Sequence, residues 1–258
     1  MSLQFDNIVF GPIRSRRLGS SLGVNLLPMH GKVCSFDCIY CECGWNADGM
    51  GDRTLPSFRE VCDALENGVK KCHDEGTPVD TITFSGNGEP TLHPDFPAII
   101  EKTLEVRAKY YPSAKVSVLS NATQLGRPGV KEALAKVDNP ILKIDSGVDS
   151  FARLMDRPVS EAYSINDVAG NLSWFKGDFI LQTMFLRGKD GETVIDCLDP
   201  VLVRAWQELV LRLRPREVMM YTLDRVPPLA TLEKVTVRQM EAVAAPLVAE
   251  GIKVQIKG

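Results

Sequence analysis

Apolar residues recur along this chain with two alternating periods, and the alternation predicts strands and helices in turn. Short apolar runs at 21–27, 81–84, 115–119, 141–144, 179–186, 218–223 and 252–256 read as strands. Between them, apolar positions three and four apart predict helices near 58–74, 95–110, 131–137, 151–156, 166–175, 201–213 and 237–249. On the first of these, Val61, Ala64, Leu65 and Val69 share a face, and Ser57 is placed to cap its start. Pro246 is placed to kink the last helix. Strands alternating with helices imply an α/β fold with a mostly parallel sheet. Six strand–helix repeats plus one final strand fall short of a closed eight-stranded barrel. The pattern alone fits a partial barrel or an open doubly wound sheet equally well. No linker or low-complexity tract interrupts the chain, so residues 1–258 are expected to form one domain. It would have a short lead-in over 1–20 and a short C-terminal strand.

Composition narrows the class. Hydrophobic residues make up 44% of the chain, enough for a sizeable core. The net charge of −3 supplies no overall field for nucleic acid, which counts against a tRNA substrate while leaving room for a local basic patch. Seven cysteines stand at 34, 38, 41, 43, 62, 72 and 197, an odd and clustered set that argues against a disulfide framework. The polar, acidic amino end does not read as a signal peptide. No apolar run approaches the roughly 18–20 residues of a membrane span. A reducing cytoplasm, with no membrane partner, is the expected setting.

The most informative segment is Cys34, Cys38 and Cys41, at spacings of four and three. In a helical or near-helical loop these spacings put three sulfurs on one side. Three thiolates suit an iron–sulfur cluster. A cubane held by three cysteines leaves one iron open to a ligand. A structural zinc site using Cys34, Cys38, Cys41 and Cys43 is the alternative, although the spacing is compressed for paired zinc ligands.

This segment, with Tyr40 just before the third cysteine, resembles the radical S-adenosylmethionine (SAM) enzymes. Ser85, Gly86, Asn87, Gly88, Glu89 and Pro90 follow an apolar strand and are similar to the Gly-Gly-Glu-Pro motif of that family, with Asn87 where its first glycine stands. Arg14, Ser15, Arg16, Arg17, Leu18 and Gly19 lie upstream, and together these segments look most like the wyosine-synthetase-like branch. The resemblance implies a partial (β/α)6 barrel, a [4Fe–4S] cluster on Cys34, Cys38 and Cys41, and SAM at the open iron. It also implies that carbonyls of the glycine turn (Gly86, Asn87, Gly88) and Glu89 meet the methionyl ammonium. The backbone of Tyr40 would read the adenine. Cys43 matches no ligand of the family; it reads as a loop thiol, close enough to reach iron when SAM is absent.

Further candidates follow strand ends, where parallel α/β folds bind ligands. Ser120 and Asn121 are placed to bond ribose hydroxyls or the SAM carboxylate, or to form a simple turn. Lys143 and Asp145 point to one side of their strand, and if that side is the lumen, they need partners that a ligand can supply. Arg153 is placed either to pair with the SAM carboxylate or to lie on the surface. Gln182 and Met184 share a face of strand five, as lumen residues would, though Met184 also suits a core. Arg14, Arg16 and Arg17 fit either a phosphate or carboxylate site or a solvated basic turn. His93 reads as structural, and Cys62, Cys72 and Cys197 as incidental thiols.

The activity implied by the resemblance is reductive cleavage of SAM to a 5′-deoxyadenosyl radical, which abstracts hydrogen from a substrate. The electron would come from a donor such as flavodoxin or ferredoxin. A tRNA base, a glycyl-radical enzyme or other protein or peptide, and a small molecule remain open as substrates. A non-catalytic iron–sulfur or zinc protein is the reading from another class.

Overall fold

The computed structural model describes residues 5–15, 17–48 and 53–258. Its main sheet has eight strands: β1 (Val9–Ser15), β2 (Gly19–Val24), β3 (Thr81–Phe84), β4 (Lys115–Ser120), β5 (Asn139–Lys143), β6 (Ile180–Met184), β9 (Glu217–Tyr221) and β11 (Lys253–Lys257). Spatial order follows chain order, and every pair from β2 to β11 is parallel. Helices α1 (Phe58–Asp74), α2 (Phe96–Tyr110), α3 (Val130–Leu134), α4 (Asp149–Asp156), α5 (Ile165–Ser173), α6 (Pro200–Leu213) and α7 (Val237–Ala249) make the crossovers. The sheet curls into a partial barrel, with one cavity touching residues from β1, β2, β3, β6 and β9. The seven parallel strands match the count expected from the sequence.

Strand alternation sorts the two faces. Leu22, Val24, Ile82, Phe84, Val116, Val118, Leu142, Leu181, Val218 and Met220 are fully buried among helix residues such as Leu65, Ile99, Leu172 and Leu247. The opposite, concave face carries Ser21, Thr83, Gln182 and Tyr221. Ser57 caps α1 as expected, in a reciprocal capping box with Glu60. Pro246 sits inside α7 without ending it.

Two features differ from the sequence reading. The lead-in contains β1, which pairs antiparallel with β2. Gly11, Pro12 and a register shift between Phe10 and Ile13 hide its alternation. The run at 179–186 is two strands rather than one. β6 stops at Met184, and β7 (Leu186–Asp190) begins a three-stranded sheet with β8 (Thr193–Asp196) and β10 (Glu233–Lys234). These strands are short and largely polar, so they lack an apolar period to read.

Candidate functional site

The cysteine loop leaves the carboxyl end of β2 and is zipped to the glycine turn after β3. Val33 N–H donates to the Asn87 carbonyl at 2.9 Å, and Glu89 N–H donates to the Val33 carbonyl at 3.1 Å. Gly88 makes this approach feasible. Its φ is 137°, and a Cβ there would lie 1.8 Å from the Val33 oxygen. The loop then wraps around the buried ammonium of Lys32, which donates to the Gly44 carbonyl at 2.8 Å and to Asp37 at 3.2 Å. Asn46 staples the other side, donating to the carbonyls of Cys34 and Phe36 and accepting from Cys34 N–H. Asp37 and Ile39 donate from their amides to the last carbonyls of α4, which docks the loop on that helix.

Polar groups surround the three thiols. Cys34 Sγ accepts from Phe36 N–H at 3.5 Å and from the Asn121 amide at 3.6 Å. Lys143 Nζ lies 3.1 Å from Cys38 Sγ. Cys41 is held down at about 6, chiefly by a hydrogen bond from Cys43. Burial, followed by the Glu89 carboxylate, pushes Cys34 up to about 12, and burial likewise raises Cys38. Burial opposes the charge on Lys32, yet the thiols of Cys41, Cys34 and Cys38 raise its pKa on balance. Thiols flanked by two buried ammoniums and by N–H donors are a donor set suited to an anionic, thiolate-ligated iron–sulfur group. Among the described residues, no three Cys, His, Asp or Glu side chains gather around a single ion.

Several expected residues converge here. Lys143 donates to Tyr40 Oη and to Asp156 Oδ1, both at 2.6 Å, and lies 3.3 Å from Asp145. Tyr40 donates its hydroxyl to Asp145, and Asp145 also accepts from Met184 N–H at 2.9 Å. Burial raises Asp156 to about 7 against the opposing pull of Lys143. Glu89 takes Asn121 N–H at 2.6 Å on one oxygen and the Thr91 amide and hydroxyl on the other. Ser120 Oγ accepts from Ala122 N–H, while Asn121 bonds Ser35 and Thr123. Gln182 and Met184 both line the concave cavity, whose volume is about 410 Å³, together with Tyr40 and Cys41.

Other expectations resolve differently. Arg153 donates to the carbonyls of Glu161 and Tyr163, bracing the loop after α4. Asp156, three residues further along that helix, reaches the cysteines instead. The Asn87 side chain bonds the Phe5 backbone and the Pro28 carbonyl and is fully buried, so it serves as a brace where the motif has glycine. Cys43 Sγ lies 3.2 Å from the Gly86 carbonyl. His93 bonds the Pro56 carbonyl and Asp95 N–H, the expected structural role. Arg14 and Arg17 border the cavity, whereas Arg16 lies outside the described residues. Sequence reasoning missed Lys32, Asn46 and Asp156. Only Lys32 carried a signal, as a lone cation just before the cysteines.

A profile of the Radical SAM superfamily matches residues 29–199. A UPF0026 protein of Synechocystis is 30% identical over 224 residues, which cover 86% of this chain and 77% of the relative. An S-adenosylmethionine-dependent nucleotide dehydratase of Selenomonas ruminantium is 30% identical over 115 residues, 44% of this chain and 36% of its own. The chain spans only 30% to 59% of the length of four other relatives. Among solved structures, a radical SAM methyltransferase from Sphaerobacter thermophilus aligns with a TM-score of 0.67 at 14% identity, over 92% of this chain and 65% of that one. TYW1 with a lysine-pyruvate adduct bound aligns at 0.59 and 14% identity, over 89% of this chain and 73% of its own. These structural likenesses show a shared fold. Among the described residues, no helix is long and apolar enough to cross a membrane.

Proposed function

Because the chain belongs to the radical SAM superfamily, we propose that it cleaves SAM reductively and abstracts hydrogen from a substrate held in its half-barrel. Cys34, Cys38 and Cys41 would hold a [4Fe–4S] cluster. When bound, the cluster supplies one electron that splits the SAM sulfonium into methionine and a 5′-deoxyadenosyl radical, which takes hydrogen from an unactivated carbon. The protein's part is to hold and orient. Glu89 and the carbonyls of Gly86, Asn87 and Gly88 would receive the methionyl ammonium. The Glu89 carboxylate is already fixed by donors on both oxygens, so little ordering remains on binding. Tyr40 would border the adenine, and Ser120 and Asn121 the ribose or carboxylate. Lys143, Asp145, Gln182 and Met184 would form the wall between SAM and substrate. The electron would come from a small donor such as flavodoxin or ferredoxin in the cytoplasm, a setting supported by seven unpaired cysteines.

The observation that carries this reading is the Val33–Gly88 pairing. It locks the cysteine loop and the glycine turn into one unit, so two motifs of different chemistry face a common space. The deciding experiment is anaerobic incubation of reconstituted protein with SAM and dithionite, followed by chromatography for 5′-deoxyadenosine. Formation of that product is expected. A reduced cluster with intact SAM and none of the product would refute the reading.

A further inference from the structure

The concave cavity contains a buried amide that the folded chain leaves without a partner among the described residues. Gln182 lies in the middle of β6. Its neighbours Leu181 and Thr183 face the helices, Leu181 in the core and Thr183 accepting the Trp206 indole N–H at 3.1 Å. Alternation turns Gln182 to the concave side, between Ile180 and Met184, where it lines the cavity. It is only 7% exposed, yet among the described residues nothing bonds its side-chain amide. Polar groups nearby are already engaged. Ser21 bonds Thr83 at 2.8 Å, and Thr222 accepts from Val235 N–H at 3.0 Å. Lys143, beside Gln182 in register on β5, directs its ammonium to Tyr40, Asp156 and Cys38. A buried amide costs stability unless its donor and acceptor are both met, so an amide in this state calls for a ligand.

The surroundings select the polarity of that ligand. Ile180 and Met184 lie along the strand from Gln182, and Met219 is its register partner on β9. A carboxylate brought among these apolar groups would lose its hydration and would face the Gln182 carbonyl oxygen. An ammonium would leave the Gln182 N–H unmet. A carboxamide presents an N–H and a carbonyl side by side, and so satisfies both ends of Gln182 at once. Gln182 sits one rung, about 7 Å, below Met184. Met184 N–H is held by Asp145, which also takes the Tyr40 hydroxyl. The rest of a ligand held at Gln182 therefore extends along the cavity toward Tyr40 and Cys41. On the β1 side, Phe5 and Phe10 both line the cavity, stacked with centroids 3.7 Å apart and planes 14° from parallel. Gly23 makes room for the Phe10 ring, because a Cβ there would collide with it. An aromatic wall suits a flat, uncharged body.

We infer that Gln182 is a specificity-determining residue that reads the carboxamide, primary or in a lactam ring, of a small planar substrate through paired hydrogen bonds. The cavity of about 410 Å³ is of small-ligand size. This deepens the function proposed above and rests on it for calling the ligand a substrate; the recognition itself does not need the radical step.

The test uses reconstituted protein with SAM and ligand-observed NMR titration. Benzamide is compared with acetophenone, which keeps the acceptor alone, and with benzoate, which carries a charge. The lactam 2-pyridone is compared with its N-methyl derivative, which has no donor. At least one amide should bind about fivefold or more tightly than its controls, and the amide with the larger advantage identifies the source. Gln182→Met keeps the length of the side chain and removes both polar ends. In that variant the advantage should fall below about twofold, with acetophenone binding unchanged. Its melting temperature should equal or exceed that of wild type, since no native side-chain bond is lost. A variant that melts lower or fails to fold would show that the amide supports the fold, and would overturn the inference. So would amides that bind no better than their controls, or an advantage that survives Gln182→Met. Weakened SAM binding in the variant with the amide advantage intact would assign Gln182 to the cosubstrate instead. Amide selectivity without 5′-deoxyadenosine formation in wild type would reject the radical reading while leaving the amide site standing.

Discussion

Lys143 and Asp156 form an ion pair of 2.6 Å, with side chains only 11% and 1% exposed, directly against the Cys38 sulfur. Asp145 shares the same ammonium. Removing the cation would leave two buried carboxyl groups without a counter-charge. Lys143→Met should therefore cost roughly 3–5 kcal/mol of stability, read from urea unfolding of the metal-free protein. A loss near zero would mean that water, rather than Lys143, balances these carboxylates.

Gly88 is predicted to be irreplaceable even by alanine. The new Cβ would collide with the Val33 carbonyl, and the φ of 137° disfavours any L side chain. Gly88→Ala should destabilise the fold by more than about 2 kcal/mol and weaken SAM binding as the turn parts from the cysteine loop. Thermal melting and equilibrium dialysis measure the two effects. Unchanged dialysis with a lowered melting temperature would separate the turn from SAM.

Metal loading should depend on some thiols and not others. Cys34→Ala, Cys38→Ala and Cys41→Ala should each abolish the brown absorbance after anaerobic reconstitution. Cys62→Ser, on α1 away from the loop, should retain it, with the same iron and sulfide per chain as wild type. Stoichiometric zinc that survives reconstitution would point to the other class of protein.

Glu66 joins α1 to α2 through Lys102 at 2.9 Å and Lys109 at 3.0 Å. Hydrogen bonds from these two ammoniums hold its carboxyl down at about 2. A carboxyl depressed in the folded state adds stability above its unfolded pKa, near 4.3. That contribution fades as pH falls from there through about 2. A carbon-detected NMR titration should place the Glu66 midpoint well below an ordinary glutamate, and Lys102→Met with Lys109→Met should return it to the ordinary range.

Ser57→Ala should cost about 1 kcal/mol by leaving the first amides of α1 uncapped. Chemical unfolding of the single variant checks this, and Ser57→Asp should recover most of the loss.

Much of the architecture was legible because parallel strands buried against helices write apolar runs into the sequence. Ile82 and Val116 show this directly. The hairpin β1–β2 was not legible, since Gly11, Pro12 and a register shift break the alternation that announces a strand. The chemistry divides in a similar way. Cys34, Cys38 and Cys41 stand out by residue type and spacing, and Glu89 by the motif its turn resembles. Asp156 and Asn46 do not. Asp156 reaches Cys38 only when α4 folds against the loop, and Asn46 bonds backbone groups of its own loop, contacts that residue type and spacing do not announce. Arg153 shows the reverse case. Its position after strand four left a ligand and a surface role open, and the helix turns it toward the Tyr163 carbonyl.

Asn87 gives Phe5 an importance that its remoteness in sequence from the cysteines conceals. Its amide grips the backbone at Phe5 on both sides, so Phe5 props the glycine turn from behind. A change that loosens Phe5 would therefore be felt as slack in the turn after β3, far from it in sequence.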